Sequence, residues 1–136
     1  MNSTGFASAE MQMLWLSIVL GLVQIVLPLL FNLGRASWAL GPRDETGPLS
    51  TKIGARLERA LKNFLETFVL FAAVVLLAQA MGRHSANSAL GAQLYFWARL
   101  AYVPAYAAGI PVLRTLIWAV SLIGIILLLV CTHPGM

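Results

Sequence analysis

Charged side chains are scarce in this sequence of 136 residues, where Asp, Glu, Lys and Arg together make up 10%, against about 25% in an ordinary soluble domain. Apolar residues make up 60%, and the mean hydropathy is +0.83. A chain this small has too much surface for its volume to bury so much apolar material in water. The composition excludes a soluble globule, a disordered chain and a collagen-like chain. It predicts an integral membrane protein.

Cysteine and histidine are nearly absent as well. The one cysteine, Cys131, excludes an internal disulfide and is typical of a packing residue. The two histidines, His84 and His133, have no partner one helical turn away, so we expect ordinary exposed side chains and no metal site. Acidic residues number five against nine Lys and Arg, a net charge of +4. In a membrane protein this excess predicts positive loops on the inner side and lipid contact, not nucleic-acid binding.

Apolar runs set the expected architecture. A helix needs about 20 residues to cross roughly 30 Å of hydrocarbon, and the runs show none of the alternation typical of a membrane β-barrel. We therefore predict one domain over residues 1–136, an all-α integral membrane bundle of four transmembrane helices. The second helix can be capped by Ser50 or Thr51, both of which accept hydrogen bonds from backbone N–H groups. The predicted spans are residues 11–33, 53–81, 92–110 and 112–131.

The connections between the spans predict the orientation. Residues 35–52 and 82–91 are predicted to be polar loops, and Gly109, Ile110 and Pro111 a tight turn. Only Arg83 is basic on the side of the 82–91 loop, so we predict both termini outside and the 35–52 loop cytoplasmic, in an inner or plasma membrane. Aromatic residues near the span ends predict interface belts: Trp15, Trp38, Tyr95 and Trp97. The basic residues of the predicted cytoplasmic side are Arg35, Arg43, Lys52, Arg56, Arg59, Lys62 and Arg114.

Ionisable groups inside the spans each need a reason, because inserting one costs about 2.5–3.5 kcal/mol. On the second span Arg59, Asn63 and Glu66 are spaced i, i+4 and i+7, which places them on one helical face. A pair between Glu66 and Arg99 of the third span can hold the two helices together. The other polar residues exceed what one such pair requires, and the surplus of cations favours a site for an anionic ligand.

The third and fourth spans contribute the remaining candidates. Arg99, Tyr102 and Tyr106 are spaced i, i+3 and i+7, and Arg114 begins the fourth span. Together with Arg59, Asn63 and Glu66 they form the pattern R-x-x-x-N-x-x-E followed by R-x-x-Y-x-x-x-Y and a further arginine. This pattern resembles the MAPEG family, the membrane-associated proteins of eicosanoid and glutathione metabolism, and the resemblance extends over nearly the whole chain.

The resemblance implies a left-handed four-helix bundle that assembles as a homotrimer and binds glutathione as co-substrate between neighbouring subunits. It implies a glutathione transferase or peroxidase activity on a lipophilic small molecule that arrives from the bilayer. Arg114 is then the catalytic residue that stabilises the glutathione thiolate, and Arg99 pairs with Glu66. The implied glutathione-binding residues are Arg35, Arg59, Asn63, Glu66, Tyr102 and Tyr106.

Two alternatives belong to other functional classes. One is a membrane scaffold of the same fold without catalytic turnover, which is favoured by Trp118 one turn after Arg114, where several family members have tyrosine. The other is a small multidrug/proton transporter. Such transporters carry their membrane glutamate in the first span, whereas the span predicted at residues 11–33 contains no acid.

Overall fold

The chain is all-helical in a computed structural model that describes residues 8–42, 47 and 51–135. Four long helices and one short helix account for most of these residues. A single 3-10 turn, Leu33–Arg35, precedes the short helix. The helices are α1 (Ala9–Phe31), α2 (Ala36–Leu40), α3 (Lys52–Met81), α4 (Ala86–Ala108) and α5 (Pro111–Cys131).

Three of the long helices, α1, α3 and α5, are long and apolar enough to cross a membrane. The remaining helix, α4, is as long as α1 at 23 residues but more polar, because its first turns contain Asn87, Ser88 and Gln93. It packs against α1, α3 and α5 and therefore belongs to the same bundle. The all-helical membrane fold is as predicted.

Aromatic residues of α3 and α4 form the centre of the core. Phe71 stacks on Tyr95 with 4.0 Å between ring centroids, and both side chains are fully buried. The Tyr95 hydroxyl forms a 3.0 Å hydrogen bond with the Thr67 hydroxyl. The prediction that Tyr95 belongs to an interface belt is wrong, because its side chain is fully buried in the core, whereas the interface position of the exposed Trp97 stays a prediction.

The start of α4 corrects the predicted 82–91 loop. Ser85 and Ser88 form a reciprocal capping box, each hydroxyl meeting the other residue's backbone N–H, so the helix begins well inside that polar stretch. Only Gly82 to Ser85 connect α3 to α4, and Gly82 ends α3 in the left-handed conformation with φ of 64°. The prediction of a loop is wrong here because Ser85 and Ser88 are polar residues that cap a helix start, where they bond to backbone N–H groups.

Two other helix ends are as predicted. Thr51 caps α3, its hydroxyl oxygen accepting from the Gly54 N–H at 2.9 Å, while Ser50 lies outside the described residues. Gly109 ends α4 with φ of 75°, and Pro111 begins α5 two residues later. This tight turn keeps α4 and α5 together as an antiparallel pair, the most extensive helix contact in the described chain.

α4 and α5 approach each other closely at two glycines. A Cβ atom placed on Gly91 would lie 2.7 Å from the Gly124 carbonyl oxygen, so neither position has room for a side chain. The small residues in the second half of α4 lie only partly on its packed side. Ala98 and Ala105 are buried, but Ala101 is exposed.

Candidate functional site

Tyr106 of α4 joins two of the predicted site arginines. The Arg59 Nε of α3 donates a 3.3 Å hydrogen bond to the Tyr106 hydroxyl. The Arg114 guanidinium of α5 lies 4.5 Å from the Tyr106 ring centroid, within the range of a cation–π contact. Three helices thus bring two cations to one phenol ring. In the described part of the chain neither arginine forms an ion pair, so both can bind an anion.

Tyr102 continues this cluster toward the bundle interior. Its ring lies 5.5 Å from that of Tyr106 and 4.1 Å from the Arg99 guanidinium. Arg99 is 1% exposed and also lies over the Phe64 ring at 5.8 Å. Its three side-chain nitrogens have no hydrogen-bond partner among the described residues. Aromatic faces therefore provide the contacts of this buried cation.

The predicted ion pair between Glu66 and Arg99 is wrong for the single chain. Glu66 is exposed on α3, whereas Arg99 lies against Phe64, two residues earlier on the same helix. Residues two positions apart on a helix differ by about 200° around its axis, so Glu66 points to nearly the opposite side of α3 from Phe64. The i, i+4, i+7 spacing does place Glu66 on one helical face with Arg59 and Asn63. This face lies at the edge of the buried side of α3.

Asn63 lies between these groups on α3. Its side chain is half-buried, and its Oδ1 atom is buried with no hydrogen-bond partner in the part of the chain that the structure describes. An acceptor in this state costs free energy unless a donor reaches it. Asn63 therefore offers an acceptor one turn along α3 from Arg59.

Arg35 lies apart from this cluster. It forms a 3.3 Å ion pair with Glu58 and lies 4.9 Å over the Trp38 ring. Asn32 also donates to Glu58, at 3.2 Å, so this face of α3 packs toward the end of α1. Within one chain, the structure brings together Arg59, Tyr102, Tyr106 and Arg114 but not Arg35.

A second polar cluster at the other end of the bundle was not predicted. Glu10 is 2% exposed and accepts from the Ser88 hydroxyl, and His84 Nδ1 lies 3.4 Å from its other oxygen. His84 is exposed, as predicted, but its Nδ1 contacts the buried Glu10 carboxylate, a partner that the sequence did not indicate. The span predicted to begin at residue 11 left Glu10 outside the bundle. The spacing of Ser85 and Ser88, typical of a helix cap, was the signal that could have located this cluster.

Arg56 is a further residue that sequence reasoning did not single out. Its Nη1 donates to the Ala107 carbonyl at 3.1 Å, which satisfies one of the last carbonyls of α4. The contact joins α3 to the turn that precedes Arg114. It thereby helps to hold the start of α5 beside Tyr106.

No group of three potential metal-ligating side chains occurs within residues 8–42, 47 and 51–135.

No curated protein sequence matches the chain. The model of the MAPEG family matches residues 13–133, which include all four long helices except the first residues of α1. The chain therefore belongs to the MAPEG family of membrane proteins.

Proposed function

We propose that the chain binds glutathione at the cluster of Arg59, Tyr106 and Arg114 and adds its thiolate to a lipophilic electrophile from the bilayer. The MAPEG family includes glutathione transferases, glutathione peroxidases and related proteins, which supports this class of reaction. The observation that carries the proposal is the position of Tyr106, which contacts two arginines from different helices, neither of them in an ion pair within the described part of the chain.

The residues around Tyr106 fit the groups that glutathione presents. Glutathione has two carboxylates, an ammonium group, two peptide bonds and a thiol. In the proposal Arg59 binds a carboxylate, and Asn63 Oδ1, which is buried and has no partner among the described residues, accepts from a peptide N–H. The exposed Glu66 carboxylate accepts from the ammonium group, and Tyr102 lines the same side through its contact with Tyr106.

Arg35 requires a second subunit in this proposal. It lies with Glu58 at the end of α1, away from the Arg59–Tyr106 contact of its own chain. A homotrimer with glutathione between neighbouring subunits would allow Arg35 of one chain to approach the cluster of the next. This assembly also gives Glu66, exposed on a membrane helix, a polar neighbourhood instead of lipid.

Arg114 is the proposed catalytic residue. A free thiol has a pKa of about 8.5, so most of it is protonated at neutral pH, and only the thiolate is a strong nucleophile. A guanidinium beside the sulfur favours the anion and lowers the pKa of the thiol. The thiol proton leaves to solvent, and the sulfur electron pair forms the S–C bond. The electrophile then releases a leaving group or takes up a proton.

Two arginine variants test this proposal in purified protein in detergent. We expect Arg59→Ala to weaken glutathione binding, measured by equilibrium dialysis. We expect Arg114→Ala to lower turnover of chlorodinitrobenzene, because a group that stabilises only the thiolate affects rate more than ground-state affinity. Arg83→Ala removes the same charge at the opposite end of the bundle and serves as the matched control.

The outcomes separate the proposal from its alternative. Wild-type protein that binds no glutathione at millimolar concentration would contradict the proposal and favour a membrane scaffold without turnover. Protein that binds glutathione normally and turns over equally well with Arg114→Ala would leave the site in place but remove Arg114 from the catalytic role.

A further inference from the structure

A buried carboxylate lies at the end of the bundle opposite Tyr106. Glu10 belongs to the first turn of α1 and is 2% exposed, and the Ser88 hydroxyl of α4 donates to one of its oxygens. A carboxylate taken out of water costs free energy unless donors or an opposite charge replace its hydration. Ser88 supplies a hydrogen bond but no charge, so the group beside the second oxygen decides how well the carboxylate is compensated.

That second oxygen faces a side chain whose charge can change. His84 Nδ1 lies 3.4 Å from Glu10 Oε2, and the imidazole is 24% exposed, so protons from solution reach it. Histidine is the side chain whose charge ordinarily changes between about pH 5 and pH 8. A neutral imidazole offers the carboxylate one ordinary hydrogen bond. An imidazolium offers an opposite charge and a stronger, charge-assisted bond.

The contact joins segments that are far apart in the sequence. Glu10 begins α1, whereas His84 lies in the connection between α3 and α4. Ser88, which bonds to the same carboxylate, also caps the start of α4 together with Ser85. Three helices therefore meet at one carboxylate, and a single proton on His84 acts on the packing of this whole end.

The other ionisable side chains at this end have partners elsewhere. Arg83 donates to a backbone carbonyl of the C-terminal tail at 3.5 Å, and His133 accepts at Nδ1 from a backbone N–H of the same tail. Cys131 lies 3.9 Å from the Ser85 hydroxyl. The last three turns of α3 and the first two turns of α4 contain no ionisable residue. Within the described residues, His84 is thus the titratable side chain that contacts Glu10.

From this arrangement we propose that protonation of His84 fastens the start of α1 to the α3–α4 connection, so that this end of the bundle opens less often in mildly acidic solution. In the opened chain the imidazole has no buried carboxylate beside it, so a proton on His84 favours the closed form. The contact strengthens as the pH falls from 8 to 6 and weakens as the pH rises again. This inference goes beyond the proposed function and is independent of it, because the glutathione cluster lies at the opposite end of the bundle.

Hydrogen exchange followed by mass spectrometry measures the opening, in the full chain in detergent without glutathione. Peptides from the start of α1 report how often its backbone N–H groups open. His84→Gln keeps a hydrogen-bond donor but cannot take up a charge, and comparing it with wild type at one pH cancels the pH dependence of exchange itself. We expect the variant to exchange about tenfold faster than wild type at pH 6 and at nearly the same rate at pH 8, the difference between a charge-assisted and a neutral bond.

Two further variants control the measurement. His133→Gln removes the other imidazole, which bonds within the C-terminal tail, and should exchange like wild type at both pH values. His84→Lys carries its charge at both pH values, so we expect it to exchange as slowly at pH 8 as at pH 6.

Three results would overturn the proposal. The first is a ratio between His84→Gln and wild type that is the same at pH 6 and pH 8. The second is equal acceleration in His133→Gln, which would show a general effect of losing an imidazole. The third is equal acceleration in peptides from the middle of α3, which would show that the variant loosens the whole bundle. Glutathione binding is measured separately, so none of these results bears on the proposed function.

Discussion

At the scale of single residues, Tyr106 has two separable roles. Its hydroxyl accepts from Arg59, and its ring faces Arg114. We expect Tyr106→Phe to keep the ring contact and to weaken glutathione binding by about tenfold or more, the net effect of one hydrogen bond to a charged group. Tyr106→Leu removes both contacts and should lower binding and turnover together. Dialysis and initial rates measure the two effects.

Thr115→Ala is the control for the two Tyr106 variants, because Thr115 is exposed beside Arg114 and its hydroxyl donates to the Pro111 carbonyl of its own helix. Identical binding by Tyr106→Phe and wild type would show that the hydroxyl does not position Arg59.

The buried Glu10 makes Ser88 a second residue of interest. Ser88 donates to this carboxylate and also caps α4 together with Ser85. Removing its hydroxyl leaves a buried charge with one donor fewer, so we expect Ser88→Ala to destabilise the fold by about 1–3 kcal/mol. Thermal unfolding in detergent measures the change. Asn87→Ala, at an exposed position in the same turn, should leave the midpoint unchanged, and an equal loss in both variants would refute a specific role for Ser88.

At the scale of helices, most of what the sequence predicts depends on apolar length. The helices α1, α3 and α5 end within a few residues of the predicted spans, because their apolar runs have clear polar borders. The predicted third span begins at residue 92, six residues after the start of α4. The first turns of α4 contain polar residues, so they do not belong to the apolar run: Asn87, Ser88 and Gln93. Spacing also predicted that Arg59 and Tyr106 belong to one site, but it could not show that Glu66 and Arg99 face apart.

The contact between α4 and α5 depends on Gly91 and Gly124. We expect Gly91→Ala to force the two backbones apart, since its Cβ would lie 2.7 Å from a carbonyl oxygen that cannot rotate away. Overpacking of this kind costs about 1–3 kcal/mol. Thermal unfolding again measures the loss. Gly34→Ala is the matched control, because no other atom lies within 4 Å of a Cβ at that position. Equal stability of both variants would argue against a tight α4–α5 contact.

At the scale of the whole molecule, Glu66 and Arg35 argue for assembly. Glu66 is a charge on the exposed surface of a membrane helix, and Arg35 lies away from the other proposed glutathione ligands. We expect native mass spectrometry in mild detergent to show mainly a homotrimer, as the family resemblance implies. A spectrum dominated by monomer would contradict it. The cytoplasmic position of the 35–52 loop stays a prediction, with Arg43 outside the described residues.

The contact between Asn32 and Thr51 has a consequence for how the protein tolerates change. The Thr51 N–H donates to Asn32 Oδ1 at 2.8 Å, and the Thr51 hydroxyl donates to the Phe31 carbonyl at 2.9 Å. These bonds hold the two ends of the α1–α3 connection at one point, in addition to the Arg35–Glu58 ion pair. The entropy of closing such a connection rises only slowly with its length. Natural insertions, or an epitope added by engineering, should therefore be accommodated there while the four long helices keep their packing.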